Sequence, residues 1–183
     1  MEGKNINKIL IVDFGSQVTQ LIARQVRELG VYCELINFKK FNKIKILNKN
    51  IKGIILSGGP KSTLSKSAPN IKWKLFLNKL PLLGICYGHQ LVANICGGKT
   101  KYSNKKEFGS AELIEKKKSK LTEGFFVNKK NIVWMSHSDS VIIKPKNFNV
   151  IASSKNSKFA ILESKSKKIF TTQFHPEVFH TKN

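Results

Sequence analysis

Pro81-Leu82-Leu83-Gly84-Ile85-Cys86-Tyr87-Gly88-His89-Gln90 is the stretch that decides the fold. An apolar run short enough for a buried strand stops at a cysteine flanked by Gly84 and Gly88. Helical apolar spacing follows at once in Leu91, Val92 and Ile95. Strand, sharp turn with a reactive side chain, then helix is the layout of a nucleophile elbow, here in the form Gly84-x-Cys86-x-Gly88. Small flanking residues let the backbone bend tightly and let a substrate approach the sulfur. At a helix N-terminus a thiolate is stabilised by the positive end of the helix dipole. The competing reading is a buried structural cysteine, because free cysteine is among the most buried residue types.

Outward from the elbow, the first half of the chain alternates strands and helices. Lys8 to Asp13 is an apolar run ending in an acid, followed by the turn Phe14-Gly15-Ser16. Val18, Leu21, Ile22, Val26 and Leu29 recur at helical spacing, and Gly30 is a natural helix stop. Tyr32 to Ile36 and Ile54 to Leu56 read as strands, and Pro69 to Leu77 reads as a helix. Continuous apolar strands joined through helices imply a parallel sheet covered on both faces. Beyond about residue 100 the runs become short and β-branched or aromatic: Ala111 to Ile114, Ile132 to Met135, Val141 to Ile143, Val150 to Ala152, Phe159 to Leu162 and Ile169 to Gln173. Turns rich in Asn, Ser and Lys separate them, which predicts an antiparallel section added to the parallel sheet. Lys116-Lys117-Lys118 and the Ser164 to Lys168 run read as solvated turns. The expectation is an α/β fold: an open, mainly parallel sheet with helices on both faces, in a single domain spanning residues 1–183.

The 183 residues are 40% hydrophobic, enough for a sizeable core and too many for a disordered chain. No run of about 18 apolar residues is present, so no membrane partner is expected. The N-terminus lacks signal-peptide anatomy. The three cysteines, Cys33, Cys86 and Cys96, cannot all pair, and none forms a metal-like C-x-x-C, so neither disulfides nor a metal site is expected and the setting is a cytoplasmic one. The net charge of +22 suggests nucleic acid. Against that, Arg24 and Arg27 are the only arginines, the lysines are dispersed, and base reading and phosphate clamping favour arginine's planar fork. No nucleic-acid partner is expected.

Three further segments carry candidate chemistry. Gln173-Phe174-His175-Pro176-Glu177 ends a strand with a histidine, a rigid proline and a carboxylate. A cysteine nucleophile needs a base, and the base works best when a carboxylate fixes its orientation. Alternatively this is a surface turn with an incidental ion pair. Ser57-Gly58-Gly59-Pro60 lies at the C-terminal end of a predicted strand, where ligands bind in open α/β sheets. Its glycines can turn N–H groups toward an oxyanion, although a plain turn has the same sequence. Ser136-His137-Ser138-Asp139 follows another strand end and reads as a turn that either contacts a polar substrate or is structural. His89, in the first turn of the elbow helix, is expected to face outward, and His180 to lie in an exposed tail. Trp73 and Trp134 read as packing residues.

The Gly-Gly-Pro, Gly-x-Cys-x-Gly-x-Gln and Phe-His-Pro-Glu motifs in this order resemble the class I, triad-type glutamine amidotransferases, whose fold is flavodoxin-like. Within that family the chain is most similar to the amidotransferase parts of GMP synthases, through Ile9 to Leu35, Glu107-Phe108-Gly109, Val133 to His137 and Glu177 to Thr181. The resemblance spans residues 8 to 181. It implies Cys86 as nucleophile, His175 as general base and then acid, and Glu177 as its orienter. It implies an oxyanion hole at Gly59 and Tyr87, and substrate binding by Gly58, Gly59, Tyr87, Gln90, Ser136, His137 and Asp139. The implied activity is hydrolysis of glutamine to glutamate and ammonia, with no cofactor in this domain. The implied partner is an ATP-pyrophosphatase module, in cis or in trans, that uses ATP and Mg to aminate XMP. Service to another synthetase, making anthranilate, carbamoyl phosphate or CTP, is the runner-up, and a non-catalytic binding module that kept the fold is the alternative of another class. One departure stands out: Ser138 occupies a position where the family usually has glycine.

Overall fold

A computed structural model describes residues 6–45, 47–77, 79–164 and 168–182. One nine-stranded sheet runs through it in the order β2-β1-β3-β4-β9-β8-β7-β5-β6. The strands are β1 (Lys8–Asp13), β2 (Cys33–Asn37), β3 (Ile51–Leu56), β4 (Leu82–Ile85), β5 (Lys99–Glu115), β6 (Lys130–Ile143), β7 (Asn149–Ser153), β8 (Ile161–Ser164) and β9 (Ile169–Thr172). The helices are α1 (Thr19–Glu28), a one-turn α2 (Phe38–Phe41) and α3 (Tyr87–Ile95). The ladders from β2 through β9 are parallel and those from β9 through β6 antiparallel, so the sheet is mixed, with the antiparallel section where the shorter β-branched runs predict it.

Alternation along β1 sorts the core. Leu10 and Val12 face Leu56, Leu91 and Val92 with α3 on one side. Ile11 faces Ile22 and Ala23 of α1 on the other, beside Ile85 and Cys86. Buried on both faces, the parallel strands need no polar alternation, which is why they read as continuous apolar runs. Gly30, at φ 75°, closes α1 by donating to the Arg27 carbonyl at 2.9 Å, as its sequence position predicts. A second core forms under the antiparallel half around Leu113, Val133, Met135, Ile151, Ile161 and Phe174.

Three expectations are corrected. The predicted helix from Pro69 to Leu77 is only a 3₁₀ turn at Trp73–Leu75. Its backbone is taken by tertiary partners: the Tyr87 hydroxyl donates to the Pro69 carbonyl. Asn42 brackets the segment, donating to the Asn70 carbonyl at 2.7 Å and accepting from the Lys72 N–H at 2.9 Å. Burial of Ile71 and Phe76 fixes the rest. Second, the runs 132–135 and 141–143 belong to one strand, β6, so Ser136 to Asp139 is strand and not turn. The irregularity falls on β5 instead, where Tyr102 pairs with Asp139 and Glu107 already pairs with His137. Third, His89 faces inward and is fully buried. Lys116 to Lys118 are exposed, as expected, whereas Lys165 to Lys167 lie outside the described residues. Among the described residues no helix is long and apolar enough to cross a membrane.

Candidate active site

The elbow is strained in the way its sequence requires. Cys86 sits at φ 52° and ψ −101°, a region that L residues rarely adopt, and it immediately precedes α3. The Cys86 N–H is tied to the Thr172 carbonyl at 2.8 Å, and its carbonyl accepts from the Gln90 N–H at 3.2 Å. The flanking glycines are needed for space. A Cβ on Gly84 would lie 2.7 Å from the Gly88 carbonyl oxygen, and one on Gly88 would lie 2.4 Å from the Leu56 carbonyl oxygen. Strand β4 and helix α3 can approach this closely only without side chains there.

Adjacent strands deliver the remaining groups to the same edge. β9 pairs with β4 in parallel, with Thr172 beside Ile85, so the chain leaving β9 passes the sulfur. His175 stands there, its own N–H held by the Trp134 carbonyl at 3.0 Å. Its Nδ1 is 2.7 Å from Glu177 Oε1, and both side chains are at least nine-tenths buried. The ring and the Cys86 side chain line the same cavity. Burial opposes charge on the imidazole, but the hydrogen bonds and attraction of Cys86 and Glu177 outweigh it and raise the His175 pKa to about 10. The arrangement favours an imidazolium beside the sulfur.

Cys86 lies between two cavities. One, of about 440 Å³, is lined by Gly59, Tyr87, Gln90, Ser136, His137, Ser138 and Asp139 among others. The other, of about 480 Å³, is lined by Ser16, Gln17, Trp134, His175 and Val178. Of the predicted residues, all except Gly58 and Glu177 line one or the other. Gly58 is buried behind the His175 ring, where a Cβ would come within 3.1 Å of Cε1, so its smallness makes room for the imidazole. The Gly88 N–H is engaged by the Ser57 carbonyl at 3.1 Å, and Gly59 and Tyr87 line the same cavity as Cys86. Tyr87 itself is held by its hydroxyl and by Phe14, ring centroids 5.0 Å apart, and burial pushes its pKa up to about 12. A larger cavity of about 900 Å³ near Glu163 and Lys168 contains none of the predicted residues.

The substrate wall is itself braced. Asp139 is buried, and its Oδ1 has no hydrogen-bond partner among the described residues. His137 contacts the Asp139 carbonyl through Nδ1 at 2.9 Å and Glu107 Oε2 through Nε2 at 3.2 Å. Glu107 in turn accepts from the Ser154 hydroxyl at 2.8 Å. Gln90 Nε2 donates to the Asp139 carbonyl at 2.8 Å and to Gln173 Oε1 at 3.2 Å. The sequence alone gives neither Glu107 nor Gln173 a part in the site. Gln173 stands two residues before His175, in the segment that directly follows β9. Glu107 carries no local signal, because its partner is thirty residues away. His180, exposed as expected, stacks on Trp134 with centroids 4.3 Å apart.

A cysteine at a strained elbow, an imidazole held by a carboxylate, and two adjoining cavities stand together at one edge of an α/β sheet. The family model for glutamine amidotransferase class I matches residues 10–183, and the chain belongs to that family. Among curated relatives, a GMP synthase [glutamine-hydrolyzing] of Brachyspira hyodysenteriae is 46% identical over 180 residues, covering 98% of this chain and 34% of the relative. Another of the same description, from Agrobacterium fabrum, is 48% identical over 177 residues, covering 96% of this chain and 33% of its own length. The chain thus spans about a third of the length of these relatives. The crystal structure of a candidate GMP synthase subunit from Thermoplasma acidophilum superposes with a TM-score of 0.77 at 30% identity, covering 97% of this chain and 87% of that one. A glutamine amidotransferase of Thermotoga maritima, at 20% identity and a TM-score of 0.78 over 94% of this chain and 76% of its own, shares the fold.

Proposed function

We propose that this chain hydrolyses glutamine to glutamate and ammonia and delivers the ammonia to an ATP-dependent module that converts XMP to GMP. The observation that carries the reading is Cys86 at a strained elbow, beside the cavity that His175 lines, with Glu177 fixing the His175 ring at 2.7 Å. Glutamine enters the cavity walled by Gly59, Tyr87, Gln90 and β6, and the unpaired Asp139 Oδ1 receives its α-ammonium group. The Cys86 thiolate attacks the side-chain amide carbon, and the oxyanion forms between the Gly59 and Tyr87 N–H groups. The C–N bond breaks as the His175 imidazolium gives its proton to the departing nitrogen, which leaves as ammonia. Water then attacks the thioester while the now neutral His175 takes up the proton, so glutamate leaves and the thiolate is restored.

The XMP-aminating partner is supported by the likeness to GMP synthases along nearly the whole chain, at 46% and 48% identity in the two relatives named above. ATP and Mg chemistry belongs to that partner. The cytoplasmic setting expected from cysteine usage suits such a role. The test is glutamate release by the purified chain beside Cys86→Ala, with and without a GMP synthase ATP-dependent module plus ATP and XMP. Hydrolysis that needs Cys86 and rises with the module supports both parts. Cys86-dependent hydrolysis that ignores this module assigns a different acceptor, and Cys86-independent release refutes the chemistry.

A further inference from the structure

Gln173 is fully buried, and its amide lies between two residues of the site. Its Nε2 is 3.8 Å from Cys86 Sγ, and its Oε1 accepts from Gln90 Nε2 at 3.2 Å. The two ends of an amide differ only in their hydrogens, so its orientation follows from its neighbours. Gln90 settles the choice: its Nε2 also donates to the Asp139 carbonyl at 2.8 Å, so both of its hydrogens point at acceptors. Gln173 must therefore turn its oxygen to Gln90 and its NH₂ to the sulfur.

The geometry points to Gln173 as a positioning residue for Cys86, whose amide N–H stabilises the thiolate over the thiol and holds it toward the cavity lined by Gly59 and Tyr87. A thiol sulfur is a weak acceptor, whereas a thiolate is an anion that gains from every aimed donor. Hydrogen bonding to the charged form favours that form. Gln173 thus supplies from one side what His175 supplies from the other, without a charge of its own. The backbone arranges this economically, because Gln173 and His175 leave the same strand two residues apart, beside the elbow that β4 carries. Gln90 then has a part beyond lining the cavity: it locks the amide of Gln173 in the orientation that faces sulfur.

The inference rests on Cys86 being the nucleophile, and its test needs no glutamine turnover. Iodoacetamide alkylation of Cys86, followed by mass spectrometry of the Cys86 peptide over a range of pH, reads the thiolate directly. The titratable groups packed around the site are His175 and Glu177 after β9, Tyr87 and His89 on α3, Glu107, His137 and Asp139 on β5 and β6, and Cys33 of β2 in the same buried cluster as Cys86; all are retained in the variants. Gln173→Met keeps the shape and removes the N–H, and should move the alkylation midpoint to higher pH. Gln173→Glu places a like charge beside the sulfur and should move it further, by about one pH unit or more. Gln90→Met, with Gln173 intact, frees the amide to turn and should shift the midpoint in the same direction. It serves as the second test if a Gln173 variant fails to fold. Profiles that coincide with the parent in the folded variants overturn the inference. Failure of the glutaminase reading is a separate result, seen as glutamine hydrolysis that survives Cys86→Ala.

Discussion

His175 and Glu177 are joined by a 2.7 Å contact between Nδ1 and Oε1, closed within one turn across Pro176 and buried on both sides. The carboxylate fixes the face of the ring, so Nε2 is the nitrogen left for the sulfur side. Glu177→Gln keeps a hydrogen-bonding group at this place but removes the charge. Glutamine hydrolysis should therefore fall less than in His175→Ala, which deletes the base. Steady-state rates of the two variants check this, and equal losses would assign Glu177 a direct part in the chemistry.

The charge of His175 follows from opposed effects. Burial pushes its pKa down, while Cys86 and Glu177 together raise it to about 10. Imidazole signals of His175 in an NMR titration should thus stay in the protonated position through neutral pH and move only toward about 10. Cys86→Ala and Glu177→Gln each remove a raising cause and should each lower the midpoint. With both changes neither charged partner remains to oppose burial, and the midpoint should drop further than in either single variant.

Gly84 and Gly88 make a steric prediction. Either one changed to alanine drives a Cβ into backbone, at 2.7 Å for Gly84 and 2.4 Å for Gly88, and backbone cannot swing aside as a side chain can. The cost should reach about 2 kcal/mol or more, which for a domain of this size lowers the melting temperature by roughly 4–8 °C. Thermal unfolding followed by circular dichroism reads it, and an unchanged midpoint would mean that the elbow and β3 separate more easily than the packing implies.

Much of this was legible in the sequence, and the failures have physical reasons. Strands buried on two faces announce themselves as apolar runs, and the elbow announces itself through glycines whose absent side chains are needed. Ser136 to Asp139 looked like a turn because its composition is polar. Its neighbours across the ladder, and the buried partners Glu107 and Gln90, hold it as strand, and none of these lies nearby in sequence. His89 looked exposed because a helix usually has a wet side. Helix α3 has none at its start, where every residue from Tyr87 to Ala93 is buried. The Pro69 segment had helical composition but lost its carbonyls to Tyr87 and Asn42.

Ser138 gives the next prediction. A glycine at this position would matter if the backbone took a positive φ, but Ser138 lies within β6 and is not among the residues that do. Ser138→Gly therefore relieves no strain. The extra backbone freedom should cost about 0.5–1 kcal/mol of stability, and the KM for glutamine should change by less than about fivefold, the most that about 1 kcal/mol allows. A tenfold fall in KM would show that the serine side chain obstructs the cavity.

His89 offers a test of the buried polar layer behind the site. Its Nδ1 meets the Thr171 hydroxyl at 2.8 Å, while Nε2 is buried with no hydrogen-bond partner among the described residues. Burial, reinforced by His137, lowers its pKa from 6.5 to about 3. Above about 6.5 the imidazole is neutral in folded and unfolded chains alike, so it adds no pH dependence. Below that the unfolded chain takes up a proton that the folded chain refuses until about 3, so stability falls as the pH drops through this window. The slope approaches about 1.4 kcal/mol per pH unit at most. His89→Gln keeps a hydrogen-bonding group toward Thr171 and cannot titrate. Urea unfolding at pH 7 and again about two units lower should show the parent losing about 2 kcal/mol more than the variant. Parallel losses would mean that the folded state admits the proton, and hence that water or a mobile carboxylate reaches Nε2 from the cavity side.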